Sequence, residues 1–446
     1  MSYGGEVKHI SGMIAVLALL FAQHNVSAAV TCPCDIYATA GTPCVAAYST
    51  VRLMYSTYTG PLYQVKRTSD KTAKDIYSLP GETIANAASQ DSFLGTGAGT
   101  IVKLYDQSGR GNWLGVAGGG TETPAADSAA NAKGLSLMVN GHKAYALYMV
   151  DGNGYRKDTT SGMPTGALPE GNYYVVDGTR YNGGCCFDFG NAETNNAAGA
   201  TGTMSTVFFG QGYWGKGAGN GPWFGGDFEA GVWTGGTGGV ETNTADPSIS
   251  YKYAMGITKT WSNPPSYEIR VADASPTGSI KLITAWNGGF VSTWKTQGGI
   301  ILGIGGDNSQ LFEYGTFFEG CITAGKPSDA TDSLIHRNIQ AAGYGSNVTT
   351  VRYSDNNEVS ALPFTVRYNP STSCAIISYS MRDVGRVSMN IFDQRGRRIA
   401  EIVSSSVSSG RHEAVWNAKS VPTGVYVCRM AIDGIERWAG KIIARK

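Results

Sequence analysis

An all-β protein made of two β-sandwiches, one large and one small, is the fold class this sequence predicts. Three observations predict it. Short apolar runs, alternating or continuous, recur between glycine-rich turns, and 61 of the 446 residues are glycine. Helical periodicity is confined to a few segments. Composition shifts across residues 346–362, where Ser346-Asn347-Val348-Thr349-Thr350 and Ser354-Asp355-Asn356-Asn357-Glu358 are polar and linker-like. The large sandwich is therefore assigned to residues 30–347, a linker to 348–362, and the small sandwich to 363–446.

Residues 1–29 read as a signal peptide. Lys8 and His9 precede the apolar stretch Ile10 to Phe21, and Ser27-Ala28-Ala29 offers a cleavage site after Ala28 or Ala29. That stretch is too short for a stable membrane span. An exported, soluble protein is expected, in a compartment where disulfides persist.

The strands follow in order. Val102-Lys103-Leu104-Tyr105, Tyr173-Tyr174-Val175-Val176 and Tyr251-Lys252-Tyr253-Ala254 read as alternating strands, and Ile300 to Ile304 as a buried one. Helices are expected over Ala46–Tyr55, a short one, and Asp329–Ala342, a better one. In the last 84 residues, Val387 to Phe392 and Ile399 to Val403 flank a turn at Asp393–Arg397, and Gly410 and Pro422-Thr423-Gly424 supply more turns. An Ig-like sandwich fits that rhythm.

Composition limits the function. Net charge is +1, which gives no electrostatic case for nucleic acid. Charged residues make up 15%, against 24 Tyr and 9 Trp, a balance suited to handling uncharged sugars. No Gly-x-Ser-x-Gly elbow and no His-Glu-x-x-His occur, so serine hydrolase and zincin chemistry drop out. Gly95–Gly99 and Gly215–Gly219 mimic phosphate loops, but neither opens a convincing helix. No metal site and no organic cofactor is expected, and neither is an oligomer: a monomer is the working expectation.

The eight cysteines are Cys32, Cys34, Cys44, Cys185, Cys186, Cys321, Cys374 and Cys428. Cys34 and Cys44 bracket a short loop and look like a local pair. Cys374 and Cys428 fall in the small domain and could pair there; Cys32 and Cys321 are left over. Cys185-Cys186 is the unusual case. Adjacent Cα atoms lie about 3.8 Å apart across a trans peptide, whereas relaxed disulfides want roughly 4.4–6.8 Å. Two readings stand side by side: a strained bridge at a functional site, or two reduced or separately paired core cysteines.

Two acidic stretches could carry chemistry. In Gly221-Pro222-Trp223-Phe224-Gly225-Gly226-Asp227-Phe228-Glu229, the carboxylates of Asp227 and Glu229 would share one face of a strand. In Gly303-Ile304-Gly305-Gly306-Asp307-Asn308-Ser309, Asp307 follows an apolar strand, a setting that favours a protonated acid. An ionised carboxylate beside a protonated one is the minimum for glycoside hydrolysis. As turn or surface acids the same residues would be unremarkable. Trp214 and Trp223 flank the glycine-rich run and could pack on a sugar ring, although core packing is the commoner use of Trp.

These blocks resemble the glycoside hydrolase family 54 α-L-arabinofuranosidases. The matching segments are Cys34-Asp35-Ile36-Tyr37 with Thr42 to Ala47; Tyr105 to Gly109; Asn140-Gly141 with Lys143-Ala144-Tyr145; Cys185-Cys186-Phe187-Asp188 to Glu193-Thr194; Gly221-Pro222-Trp223; Asp246 to Tyr251; and Ile300 to Ser309. They run in the family's order over roughly residues 34–345. The resemblance implies a concanavalin-like jelly-roll catalytic sandwich and a retaining mechanism, with Glu229 as nucleophile and Asp307 as general acid/base. It implies disulfides Cys34–Cys44 and Cys185–Cys186, the latter lining the arabinose pocket, and sugar contacts at Asp227, Trp214 and Gly306.

Departures exist. Ala230 stands where the fungal pattern has a sugar-binding Asn, and Leu94 and Gly99 lie near the positions of a missing disulfide. The fungal arabinose-binding β-trefoil is absent. Residues 363–446 instead resemble C-terminal sorting domains of bacterial type IX secretion, with Gly424-Val425-Tyr426 and a basic end from Lys441 to Lys446. The expectation is a secreted or cell-surface bacterial exo-enzyme that removes terminal arabinofuranosyl groups from the plant cell-wall polysaccharides arabinoxylan or arabinan. Its possible partner is the secretion machinery, through the C-terminal domain. The alternatives are a non-catalytic arabinose-binding lectin-like module and a hydrolase for another furanoside, which the Ala230 departure permits.

Overall fold

The strand Glu170–Asp177 is buried at every position, and the reason organises the large domain. Successive side chains of a strand point to opposite faces. Tyr174 and Val176 point into a core shared with Phe189, Val207, Phe209 and Phe224 of a second sheet. Tyr173 and Val175 point the other way, into a cluster with Tyr37, Ile335 and Ile339. Both faces of the strand are covered, so it reads as a continuous apolar run where alternation was expected.

The computed structural model describes residues 31–212, 214–308, 313–346, 365–369, 372–381, 384–393, 397–432 and 435–444, together with Met1. The expected signal peptide (Met1 apart) and the 348–362 linker lie outside the described residues. One sheet runs in the order Ile283–Gly289, Pro265–Asp273, Tyr253–Ser262, Glu170–Asp177, Gly315–Ala324, His142–Met149, Leu135–Val139, with Cys44–Ser49 also paired to Gly315–Ala324. The other runs Val232–Trp233, Trp223–Asp227, Ser205–Gly210, Asp188–Ala192, Gly299–Leu302, Tyr155–Lys157, Leu114–Val116, Gly99–Leu104, Tyr63–Arg67, Ala73–Ile76. Their inner faces meet through contacts such as Tyr174 on Phe189 and Phe224, with ring centroids 6.2 and 5.9 Å apart. This is the expected sandwich.

The helix Asp329–Ala341 forms where expected, capped by Ser328, whose hydroxyl accepts the Thr331 N–H at 3.1 Å. The helix expected at Ala46–Tyr55 does not form. Cys44–Ser49 is a strand buried at all six positions and paired antiparallel with Gly315–Ala324. Burial between neighbours outweighs the helix propensity of Ala46 and Ala47. Two helices the sequence did not reveal are Pro33–Thr39 and Ala87–Leu94. Seven or eight residues are too few to display helical periodicity.

Cys34 and Cys44 are bridged, with Cα atoms 5.7 Å apart, which ties the first helix to the first strand. Cys374 and Cys428 are not paired: one is partly exposed, the other buried, and they sit on strands of different sheets. Cys32 and Cys321 are buried free thiols.

In the small domain, Thr365–Asn369, Cys374–Met381 and Gly410–Asn417 form one sheet. Arg398–Val407, Gly385–Phe392, Gly424–Ile432 and Ile435–Ala444 form the other. Trp416 is core, 4% exposed and packed on Tyr426 at 5.0 Å between ring centroids. This is the Ig-like sandwich the turn rhythm implied.

Candidate active site

Alternation along two central strands builds one side of the site. Phe189 and Phe224 point into the core, so Asp188 and Asp227, each an odd number of residues away, point to the outer face of their sheet. A cleft of about 410 Å³ opens there. All seven residues singled out as catalytic or sugar-binding line it: Cys185, Cys186, Trp214, Asp227, Glu229, Gly306 and Asp307.

Glu229 reaches the cleft by a route the sequence did not show. The strand ends at Asp227, so Glu229 does not share a strand face with it. Glu229 and Ala230 both adopt left-handed backbone, φ 65° and 58°, in a tight turn to Val232–Trp233. Non-glycine residues held there cost on the order of 1–3 kcal/mol each. Two features hold the turn. Asp227 Oδ1 accepts the Glu229 N–H at 2.9 Å. Phe228, between them, is sunk among Trp233, Tyr267, Phe290 and Trp294.

Asp307 sits half-buried in the turn that follows Gly299–Leu302. Arg156 holds this turn by donating to the Gly306 carbonyl at 2.7 Å and to the Glu193 carbonyl. The buried Asn308 donates its side-chain amide to the Gly118 carbonyl. Gly306 is needed as glycine because of a close approach: a Cβ there would collide with Glu193 Oε2 and Met204 and stand 3.1 Å from Glu229 Oε1.

The Cys185 and Cys186 sulfurs lie within bonding distance of each other, and the peptide between them is cis, not the trans form from which the Cα spacing is expected. Asp227 Oδ2 lies 3.7 Å from one sulfur and 3.5 Å from the other. Together with Asp188 these groups converge as a metal site would, but paired sulfurs are not thiolates and leave two carboxylates alone as donors. Trp214 is half-buried on the cleft wall. Trp223, the other aromatic considered, is 4% exposed and donates its indole N–H to the Ala218 carbonyl, so it is a packing residue.

Acids dominate the electrostatics. Burial pushes the Asp188 carboxyl well above the usual carboxylate range, and the charge of Asp227 and a hydrogen bond to it add to the effect. Asp227 is raised as well, mainly by burial. Glu229 is raised by burial first, then by the charges of Asp227 and Glu193 and a hydrogen bond to Glu193. Carboxyls this close cannot all ionise, so a proton is shared between Asp188 and Asp227, and Glu229 holds its own proton more tightly than a free carboxyl does. The result is a cleft holding ionised and protonated carboxyls side by side, the equipment for acid-assisted displacement at an acetal carbon.

Asp188, Glu193 and Met204 were not picked out as site residues. For Asp188 a signal existed, its alternation with Phe189. For Glu193 none did, since its neighbours come from segments remote in sequence.

Residues 33–345 match the family described as alpha-L-arabinofuranosidase B, catalytic. The chain belongs to that family. Its activity is accordingly that of an α-L-arabinofuranosidase, a glycoside hydrolase. A second family, the secretion system C-terminal sorting domain, matches residues 368–445, the small sandwich, and points this arabinofuranosidase toward secretion. The chain is 42% identical over 399 residues to a probable alpha-L-arabinofuranosidase B of Aspergillus terreus, covering 87% of this chain and 74% of that one. A solved family 54 α-L-arabinofuranosidase soaked with a cyclic sulfate inhibitor superimposes with a TM-score of 0.67 at 39% identity, over 80% of this chain and 73% of the other. An arabinofuranosidase complexed with arabinofuranosyl-α-1,2-xylobiose gives 0.67 at 34% identity, over 88% and 86%.

Proposed function

We propose that this arabinofuranosidase is a secreted bacterial exo-enzyme that works with retention, with Glu229 as nucleophile and Asp307 as general acid/base. The observation that carries this reading is the closeness of the two segments: Gly306, the residue before Asp307, leaves no room for a Cβ against Glu229. A Glu229 oxygen attacks the anomeric carbon of a terminal arabinofuranosyl group while Asp307 gives its proton to the departing glycosidic oxygen. An arabinosyl ester on Glu229 results. Asp307 then takes a proton from water, the water oxygen attacks the same carbon, and Glu229 leaves as carboxylate. Asp227 accepts a sugar hydroxyl, Trp214 walls the ring, and Gly306 lets it approach.

Substrates in this reading are the side chains of arabinoxylan or arabinan, and no cofactor takes part. Proton NMR of the first product from an aryl α-L-arabinofuranoside tests it. Appearance of the α-anomer before mutarotation is expected; the β-anomer first would establish inversion and remove Glu229 as nucleophile.

The paired sulfurs of Cys185 and Cys186 serve as an apolar, polarisable floor under the sugar. Replacing both by Ala should raise KM about tenfold, equivalent to ~1.4 kcal/mol of binding, while Tm changes little. A large fall in Tm with an unchanged KM would make the pair a folding element instead.

The signal peptide and the small domain act in export. Residues 363–446 lack an acid pair in an aromatic, glycine-rich setting. Ser346 closes the large domain, its carbonyl accepting the Gly141 N–H at 3.0 Å. A chain ending at Ser346 should therefore keep its turnover on an aryl arabinofuranoside but stay within the cell envelope of the host. Lost turnover would show that the two domains cooperate in catalysis, and normal export would defeat the sorting role.

A further inference from the structure

We propose that Trp113, Lys103 and Lys157 form a second carbohydrate site, on the outer face of the sheet that bears the cleft, and that it takes the carboxylate of a hexuronic acid on the polymer being trimmed. This rests on the reading of the substrate as a polysaccharide.

Leu114 points into the core, so Gly115, the next residue of the strand Leu114–Val116, faces outward. Gly115 is paired with Lys103 on one side and with Arg156 on the other, and cross-strand partners share a face. Arg156 is paired in turn with Ile301, and its side chain donates to the Gly306 carbonyl at 2.7 Å. The surface at Gly115 therefore continues the face on which the cleft opens. It lies two strand spacings, roughly 10 Å, from the strand that leads to Asp307. A polymer whose arabinosyl group occupies the cleft has this surface within reach.

Trp113 is 40% exposed, and its ring lies over Gly115, where a Cβ would stand 3.4 Å from Cζ3. Two ammoniums rest on this one indole: Lys103 Nζ is 4.4 Å and Lys157 Nζ 4.5 Å from the ring centroid. Lys103 also stands 5.2 Å from the Tyr105 ring. Among the described residues neither ammonium is ion-paired. Asp158, next to Lys157, binds Arg156 Nε at 2.5 Å. Asp75, beside Tyr105, accepts the Tyr105 hydroxyl at 2.9 Å and the Gln64 amide at 2.8 Å. Like charges gathered on one exposed ring repel each other, and a carboxylate between them removes that cost while accepting charge-assisted hydrogen bonds from both. The indole adds apolar surface for the carbon skeleton of a sugar. Because the cleft on the same face handles a sugar, the anion that fits is a carboxylate borne on a sugar ring.

Affinity electrophoresis of the full chain at low salt tests the site. The probe is glucuronoxylan, which carries hexuronate branches but no arabinose for the cleft, and carboxyl-reduced glucuronoxylan is its neutral counterpart. The wild type should bind the acidic polymer about tenfold more tightly than the reduced one, and the difference should shrink as salt rises toward about 0.2 M. K103Q/K157Q should weaken binding of the acidic polymer about tenfold and W113A about threefold, both with unchanged turnover of an aryl arabinofuranoside. K281Q/K419Q removes two exposed positive charges elsewhere and should bind within about twofold of wild type. Equal weakening by the two double variants would reduce the attraction to net charge and overturn the site. Equal binding of the acidic and reduced polymers, or no binding of either, would overturn it as well. Release of arabinose from a neutral arabinoxylan separates the two readings. No release by the wild type removes the polysaccharide reading and this proposal with it; release, with K103Q/K157Q binding glucuronoxylan as tightly as wild type, removes this proposal alone.

Discussion

Glu229→Ala is expected to lower kcat on every arabinofuranoside by a factor on the order of 10⁴ or more, as loss of a catalytic nucleophile does. Leaving-group quality should make no difference, because without the carboxylate no arabinosyl ester forms. Azide, small enough to enter the space left, should restore turnover of an aryl substrate and give the inverted arabinosyl azide. Retention of more than a few per cent of activity without azide would sink the assignment. The same residue makes a stability prediction. The folded-state pKa of Glu229 is raised, first by burial and then by Asp227 and Glu193. A raised carboxyl contributes stability that is present below its unfolded value, about 4.3, and is lost as pH rises through the folded value. Glu229→Gln cannot ionise, so its Tm advantage over wild type should grow between pH 5 and pH 9. A constant difference across that range would show that ionising Glu229 carries no folding cost.

Asp307→Ala is expected to discriminate between leaving groups. On substrates with alkoxide leaving groups, such as the natural polymers, kcat/KM should fall by about 10²–10⁴, the usual worth of a general acid. On an aryl arabinofuranoside with an acidic phenol the first step needs little proton donation, so kcat/KM should change little. The second step loses its general base, so kcat should fall and the arabinosyl-enzyme should accumulate, visible as a burst of phenol. Equal losses on good and poor leaving groups would remove Asp307 from the acid role.

The cleft was legible in the sequence to the extent that local pattern encodes it. Gly306-Asp307-Asn308 after an apolar strand and Asp227-Phe228-Glu229 after a glycine run were visible as acids at the ends of strands. The conformation that separates Asp227 from Glu229 was not. A period of two predicts a shared face only while the chain remains a strand, and the strand stops at Asp227. What stops it is the burial of Phe228 among four aromatic rings, three of which, Tyr267, Phe290 and Trp294, come from segments distant in sequence. Glu193 was invisible for the same kind of reason. Its partners Thr203, Gly306 and Glu229 come together only when the strands stand side by side and the loops beyond them fold over the cleft.

By itself the sequence determined the fold class, the division into two sandwiches and the family, because strand rhythm, turn chemistry and ordered motifs are local properties of the chain. The tertiary structure alone decided three further things. Cys44–Ser49 became a strand because Gly315–Ala324 offered it hydrogen bonds and burial on both sides, against the helix propensity of its alanines. Cys374 and Cys428 stayed free because the strands that carry them belong to different sheets. Asp188, Asp227 and Glu229 came to hold their protons tightly because desolvation and mutual repulsion depend on distances across the fold, and those exist only after the core has set where each strand lies.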